Sequence, residues 1–97
     1  MNKIVINTDY GGFGISDKAW EWMINNDLEE KYHYDCLKIP RHHPLLIKCI
    51  NKFGEGFTGS PGASLAITEI NSNTYRIVEY DGLESIETPD TIDWVTI

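Results

Sequence analysis

Three short stretches of this 97-residue chain carry the residue types best suited to chemistry. The first is Tyr10-Gly11-Gly12-Phe13-Gly14, which leads through Ile15 to Ser16. Glycines let backbone amides approach an anion closely, and a helix opening at Ser16 would add the positive potential of its N-terminus. The spacing is neither the P-loop pattern nor the dinucleotide fingerprint, so a tight turn or a close backbone contact explains it equally well. The second is Arg41-His42-His43-Pro44, where Arg41 and His42 would stand beside a second helix start and bind phosphate through paired hydrogen bonds. A solvated basic turn is the alternative. The third is Tyr75-Arg76 with Tyr80-Asp81, where alternation puts Arg76 and Tyr80 on one strand face with Val78 between them. Such a face suits base stacking, or it is one side of an ordinary half-buried sheet with Arg76 paired to Glu79 or Glu84.

Other chemistries fit less well. His33 and Cys36 with His42 or His43 do not form the two clear ligand pairs of a structural zinc site, so no metal is expected. No nucleophile elbow, H-E-x-x-H helix or kinase-type loop is present. His42 or His43 acting as a general base with Asp9 or Asp81 keeps a small nucleotide hydrolase as an alternative; otherwise no catalytic residue and no cofactor is expected.

The elements that would position these residues can be read from pattern. Lys3-Ile4-Val5-Ile6-Asn7 is β-branched without polar alternation, as in a strand covered on both faces inside a sheet. Ser16-Asp17 is a good N-cap with an acid in the first turn, and Ile15 with Trp20 would form a hydrophobic staple. Ala19, Trp20, Met23 and Ile24 share one helical face, while Trp22 points away and needs cover from the 30s loop, a subunit contact or partial exposure. Pro44 suits a first helical residue, Leu46, Cys49, Ile50 and Phe53 recur at helical spacing, and Gly54 suits its end. The glycine-rich run 54–62 reads as a loop. Residues 63–70 and 74–80 read as a hairpin joined by Asn71-Ser72-Asn73, Asp81-Gly82 turns the chain again, and 91–97 reads as a last strand. The expected fold is α+β, a single domain over 1–97 with a sheet of about four strands (one N-terminal, a central hairpin, one C-terminal) and two helices packed on it.

Hydrophobic residues at 41% and charged residues at 24% are ordinary for a folded domain. The net charge of −7 disfavours binding to nucleic acid or anionic membranes. The basic residues concentrate in 41–53, which holds Arg41, Lys48 and Lys52 and no acid, whereas 54–97 has Arg76 as its one basic residue. Three Trp and five Tyr are a large aromatic load for so small a core, which suggests a homo-oligomer. The first residues lack the apolar run of a signal peptide and the two cysteines show no framework spacing, so the expected setting is cytoplasmic.

Ile4-Val5-Ile6-Asn7, Gly11-Gly12-Phe13-Gly14-Ile15-Ser16, Arg41 with Pro44-Leu45-Leu46, and Glu79-Tyr80-Asp81-Gly82 together resemble a family of small, largely uncharacterised proteins of tailed phages and prophages. The chain departs at His43, where the family often carries Asp, and at Leu83, where an aromatic is common. The resemblance implies a phage protein of the host cytoplasm and, by analogy with anti-defence proteins, a non-catalytic sponge for a nucleotide-derived immune signal of the cyclic-nucleotide or cyclic ADP-ribose type. The expected ligand set is Tyr10, Gly11, Gly12, Phe13, Gly14, Ser16, Arg41, His42, Arg76, Tyr80 and Asp81, with Gly12, Gly14 and Arg41 on phosphates and Phe13 or Tyr80 stacking. The competing expectation is an acidic inhibitor of a host protein. An enclosed cleft containing Arg41 would favour the first, and acids clustered on an open face the second.

Overall fold

The computed structural model describes residues 2–54 and 59–89. The expected strand at 91–97 and the middle of the glycine-rich loop lie outside the described residues. The elements run β1 (Asn2–Asn7), α1 (Asp17–Asn25), single 3-10 turns at Glu30–Tyr32 and Cys36–Lys38, α2 (Pro44–Phe53), β2 (Leu65–Ile70), β3 (Arg76–Tyr80) and β4 (Leu83–Glu87). The small α+β class holds.

Both helices start where their local chemistry dictates. Ser16 caps α1, its hydroxyl accepting from the Ala19 amide at 3.2 Å. Pro44 opens α2, and Gly54 ends it with φ 86°. Ala19 and Met23 of α1 face Leu46, Cys49 and Ile50 of α2 in one core with Val5 and Leu65. Ile15 is buried and Trp20 packs on the same core. Trp22 finds its partner within the chain: its ring meets Phe53 of α2 edge-on, with centroids 6.0 Å apart.

The strand order corrects the sequence reading. Residues of β2 do not pair with β3 across Asn71-Ser72-Asn73; β2 pairs antiparallel with β1, from Asn2 opposite Ile70 to Asn7 opposite Leu65. β3 instead pairs with β4, from Arg76 opposite Glu87 to Tyr80 opposite Leu83. Asp81 (φ 51°) and Gly82 (φ 87°) make the two-residue turn. Positive φ at both central positions matches the right-handed twist of hairpin strands, which is why the Asp-Gly turn takes the hairpin.

The β1–β2 register places Val5, Leu65 and Ile67 together against the helices. Ile4 points to the opposite face, where β4 lies along β1, and it is 1% exposed. β1 is therefore covered on both faces as expected, yet it is not an interior strand: among the described residues its one strand partner is β2. Its other edge is closed by a loop and a side chain. The Val5 amide donates to the Arg41 carbonyl at 2.8 Å, and the Asn7 amide donates to Glu84 Oε1 at 2.8 Å.

Candidate functional site

The glycine loop is built to let backbones touch. Gly11 donates its amide to the Gly62 carbonyl at 2.8 Å, and a Cβ on Gly11 would stand 2.2 Å from that oxygen. At the β3–β4 turn, a Cβ on Gly82 would stand 2.3 Å from the Tyr10 carbonyl oxygen. Asn7, fully buried, ties the pieces together: its Nδ2 donates to the Asp9 and Gly82 carbonyls at 2.7 Å each, and its Oδ1 accepts from the Ser64 amide at 2.9 Å. The Gly11 amide and the Ser16 hydroxyl, both expected at a bound anion, are used by the protein itself. Gly14 is likewise engaged, its carbonyl accepting from the Ser60 amide at 3.1 Å.

Arg41 and Phe13, expected to take a phosphate and a base, take each other. The guanidinium carbon sits 3.6 Å from the Phe13 ring centroid. Its two terminal nitrogens grip Glu84 at 2.5 and 2.8 Å, and Nη1 also donates to the Val5 carbonyl at 3.3 Å. The pair is largely withdrawn from water, with side-chain exposures of 15% for Arg41 and 4% for Glu84. Arg41 is not in the wall of any of three recesses on this surface: the one at His42 and Tyr75, the one between β2 and β4, and the one at Arg76 and Glu87. Arg76 pairs with its cross-strand neighbour Glu87 rather than with Glu79 or Glu84. Tyr10 and Tyr80 stand 70% and 77% exposed, and Asp81 is exposed at the turn between the hairpin strands.

The adjacent histidines part company. His43 turns inward as the cap of α2: its Nδ1 accepts from the Leu45 amide at 3.1 Å, which puts the ring proton on Nε2, where it is donated to Glu29 at 3.0 Å. That hydrogen bond holds the Glu29 carboxyl below the ordinary carboxylate range. His42 turns outward. Its Nδ1 lies 2.7 Å from the Tyr75 hydroxyl, and the two rings meet edge-on at 5.8 Å. Burial raises the Tyr75 pKa, with the Arg41 charge acting against it, so the phenol keeps its proton near neutral pH; which partner of the hydrogen bond donates follows the His42 tautomer. Neither histidine contacts Asp9 or Asp81: Asp9 accepts from the Tyr10 amide at 2.7 Å. His33 Nε2 lies 2.7 Å from the Leu28 carbonyl. Among the described residues no three His, Cys, Asp or Glu side chains converge as a metal site would require.

The His42–Tyr75 pair opens onto a cavity of about 300 Å³, whose remaining wall is Asn2, Lys3, Ile4, Ile47, Ser72 and Asn73. Lys3 is its one fully charged side chain, and no acid lines it. Asn2 holds the rim in place, donating from Nδ2 to the Ser72 carbonyl at 2.8 Å and to Asn73 Oδ1 at 3.1 Å. Of the residues expected at a ligand, His42 alone belongs to this wall. Lys3, Ser72, Asn73 and Tyr75 meet because the β1–β2 register sets Asn2 opposite Ile70 and so brings the turn after β2 over the start of β1. A larger groove of about 370 Å³ lies between β2 and β4, but its ionisable groups are Glu69 and Glu84, which makes it hostile to anions. No protein-family model matches the chain, and neither the curated proteins nor the solved structures give a significant match.

Proposed function

We propose that this protein is a non-catalytic binding protein that takes up a small anionic, nucleotide-type molecule in the His42–Tyr75 cavity. The observation that carries the reading is an acid-free cavity holding Lys3 and His42 in a chain of net charge −7. A randomly placed recess on so acidic a surface would have carboxylates at its rim, as the groove between β2 and β4 does. Lys3 supplies a point charge for phosphate, the Ser72 hydroxyl and the Asn73 amide supply orienting hydrogen bonds, Asn2 holds those two residues in place, and the Tyr75 and His42 rings give an aromatic wall. At about 300 Å³ the cavity is at the small end of ligand sites and encloses part of a nucleotide rather than a whole dinucleotide. Sequestration of an immune signal is the biological role that the phage resemblance suggests for such a site.

The test is isothermal titration calorimetry with cyclic AMP, ADP-ribose and inorganic phosphate as probes, followed by chromatography of the recovered nucleotide. Binding of a nucleotide that is recovered unmodified, weakened about tenfold by Lys3→Ala (about 1.4 kcal/mol) and measurably by Tyr75→Phe, supports the reading. Equal affinity in the variants moves the ligand elsewhere, and conversion of the nucleotide points to a hydrolase. Arg41→Ala is not a clean probe of this site, because it strands the buried Glu84 carboxylate.

A second reading, an acidic inhibitor of a basic protein, is favoured by the exposed Tyr10 and Tyr80 rings beside Asp81. Exposed tyrosines are enriched at protein contacts, and the net charge of −7 suits a basic partner.

A further inference from the structure

Strand β3 has the properties of half an interface. It is exposed along both faces: Arg76, Val78, Glu79 and Tyr80 are exposed and Ile77 is half-buried. Among the described residues it pairs with β4 alone. A lone two-stranded hairpin is marginal in water and gains independent stability from a third strand. In an antiparallel ladder closed by a two-residue turn, the residues flanking the turn form a hydrogen-bonded pair, and such pairs alternate. Tyr80, Val78 and Arg76 therefore point their backbone groups at β4, which leaves the amides and carbonyls of Ile77 and Glu79 directed outward.

We propose that β3 pairs antiparallel with β3 of a second copy of this chain about a two-fold axis through Val78, joining the two hairpins into one four-stranded sheet. This register sets Ile77 of one copy opposite Glu79 of the other, so the outward backbone groups of both meet in four hydrogen bonds. Val78 meets Val78, and Arg76 faces Tyr80 across the axis, a cation against an aromatic ring. Arg-Ile-Val-Glu-Tyr is thus self-complementary when reversed: the two arginines are kept at opposite ends and each ring receives one cation. The one like-charge approach is between the two Glu79 carboxylates, which stand diagonally at about 7–8 Å. That separation is within a Debye length at physiological ionic strength, so added salt and Glu79→Gln should both tighten the dimer. The interface begins one residue after Tyr75 of the cavity wall, but the pairing is inferred independently of how that cavity is used.

Sedimentation equilibrium of the full chain, read with amide hydrogen exchange, tests the proposal. The expected result is a mass of twice 11.1 kDa at high protein concentration, strengthened by salt and by Glu79→Gln, with slowed exchange at the Ile77 and Glu79 amides. Glu79→Pro should abolish the doubled mass while keeping the circular dichroism of the wild type, because an outward-facing edge position tolerates proline. Should the proline unfold the chain, the Gln variant and the amide protection decide. A monomer at every concentration overturns the proposal, as does a dimer indifferent to Glu79. Slow Ile77 and Glu79 amides in a monomer would also overturn it, by assigning the edge to the chain's own residues 90–97.

Discussion

Replacing Arg41 with Ala should be among the most damaging single changes in this protein. The side chain makes two hydrogen bonds to Glu84, one to the Val5 carbonyl, and stacks on Phe13. Its loss leaves Glu84, 4% exposed, as a buried carboxylate whose remaining partner is the Asn7 amide. Removing one member of a buried ion pair costs about 3–5 kcal/mol, most of it the stranded charge. Domains of this size have about 5–15 kcal/mol of total stability, so the variant should lose about a fifth of it or more. Urea denaturation followed by circular dichroism would show the midpoint falling with little change in slope. The double variant Arg41→Met with Glu84→Gln keeps an acceptor for the Asn7 amide and strands no charge, so it should be more stable than Arg41→Ala alone. The exposed Arg76–Glu87 pair is the internal comparison: Arg76→Ala should cost no more than about 1 kcal/mol. An Arg41→Ala loss as small as that would refute the assignment of Arg41 as the structural closure of β1 and return it to the list of ligand-binding candidates.

Two further outcomes follow from the titratable groups. The Glu29 carboxyl is held below its ordinary value by the hydrogen bond from His43, so in the acid range the unfolded chain binds the proton first and stability rises with pH. The contribution is complete above the ordinary carboxylate value of about 4.3 and disappears as pH falls through the depressed one; Glu29→Gln should flatten that part of the acid denaturation curve. The Cys49 thiol is buried and its pKa is pushed up to about 11 by desolvation, so in a Cys36→Ser background a thiol reagent at mildly alkaline pH should label it no faster than the protein opens. Rapid labelling without unfolding would contradict the packing of Cys49 between the helices.

The division between what was legible and what was not follows the distance over which each feature is decided. Ser16, Pro44 and Gly54 set the helix boundaries through partners within a few residues, and the 3.6-residue spacing of Leu46, Cys49, Ile50 and Phe53 named the buried face of α2. Asp81-Gly82 carried its turn locally too, but two turn-forming runs competed for one hairpin. Asn71-Ser72-Asn73 lost because β2 gains a longer ladder with β1, whose register buries Val5, Leu65 and Ile67 together. The fate of the candidate site was decided wholly by long-range partners. Arg41 is a phosphate-type residue by its own chemistry, but Glu84, 43 residues away, and Phe13 consume its charge and its face. The glycine run permits an anion cradle and equally permits backbone contact, and Gly62 and Gly82 settle which. Tyr75 and Lys3 lie 72 residues apart and acquire a shared cavity only when β1 and β2 pair. Sequence determines which backbones can cap, turn and pack; which charged side chain is left for a ligand depends on whether the fold delivers an opposite charge to it, and only the tertiary structure decides that.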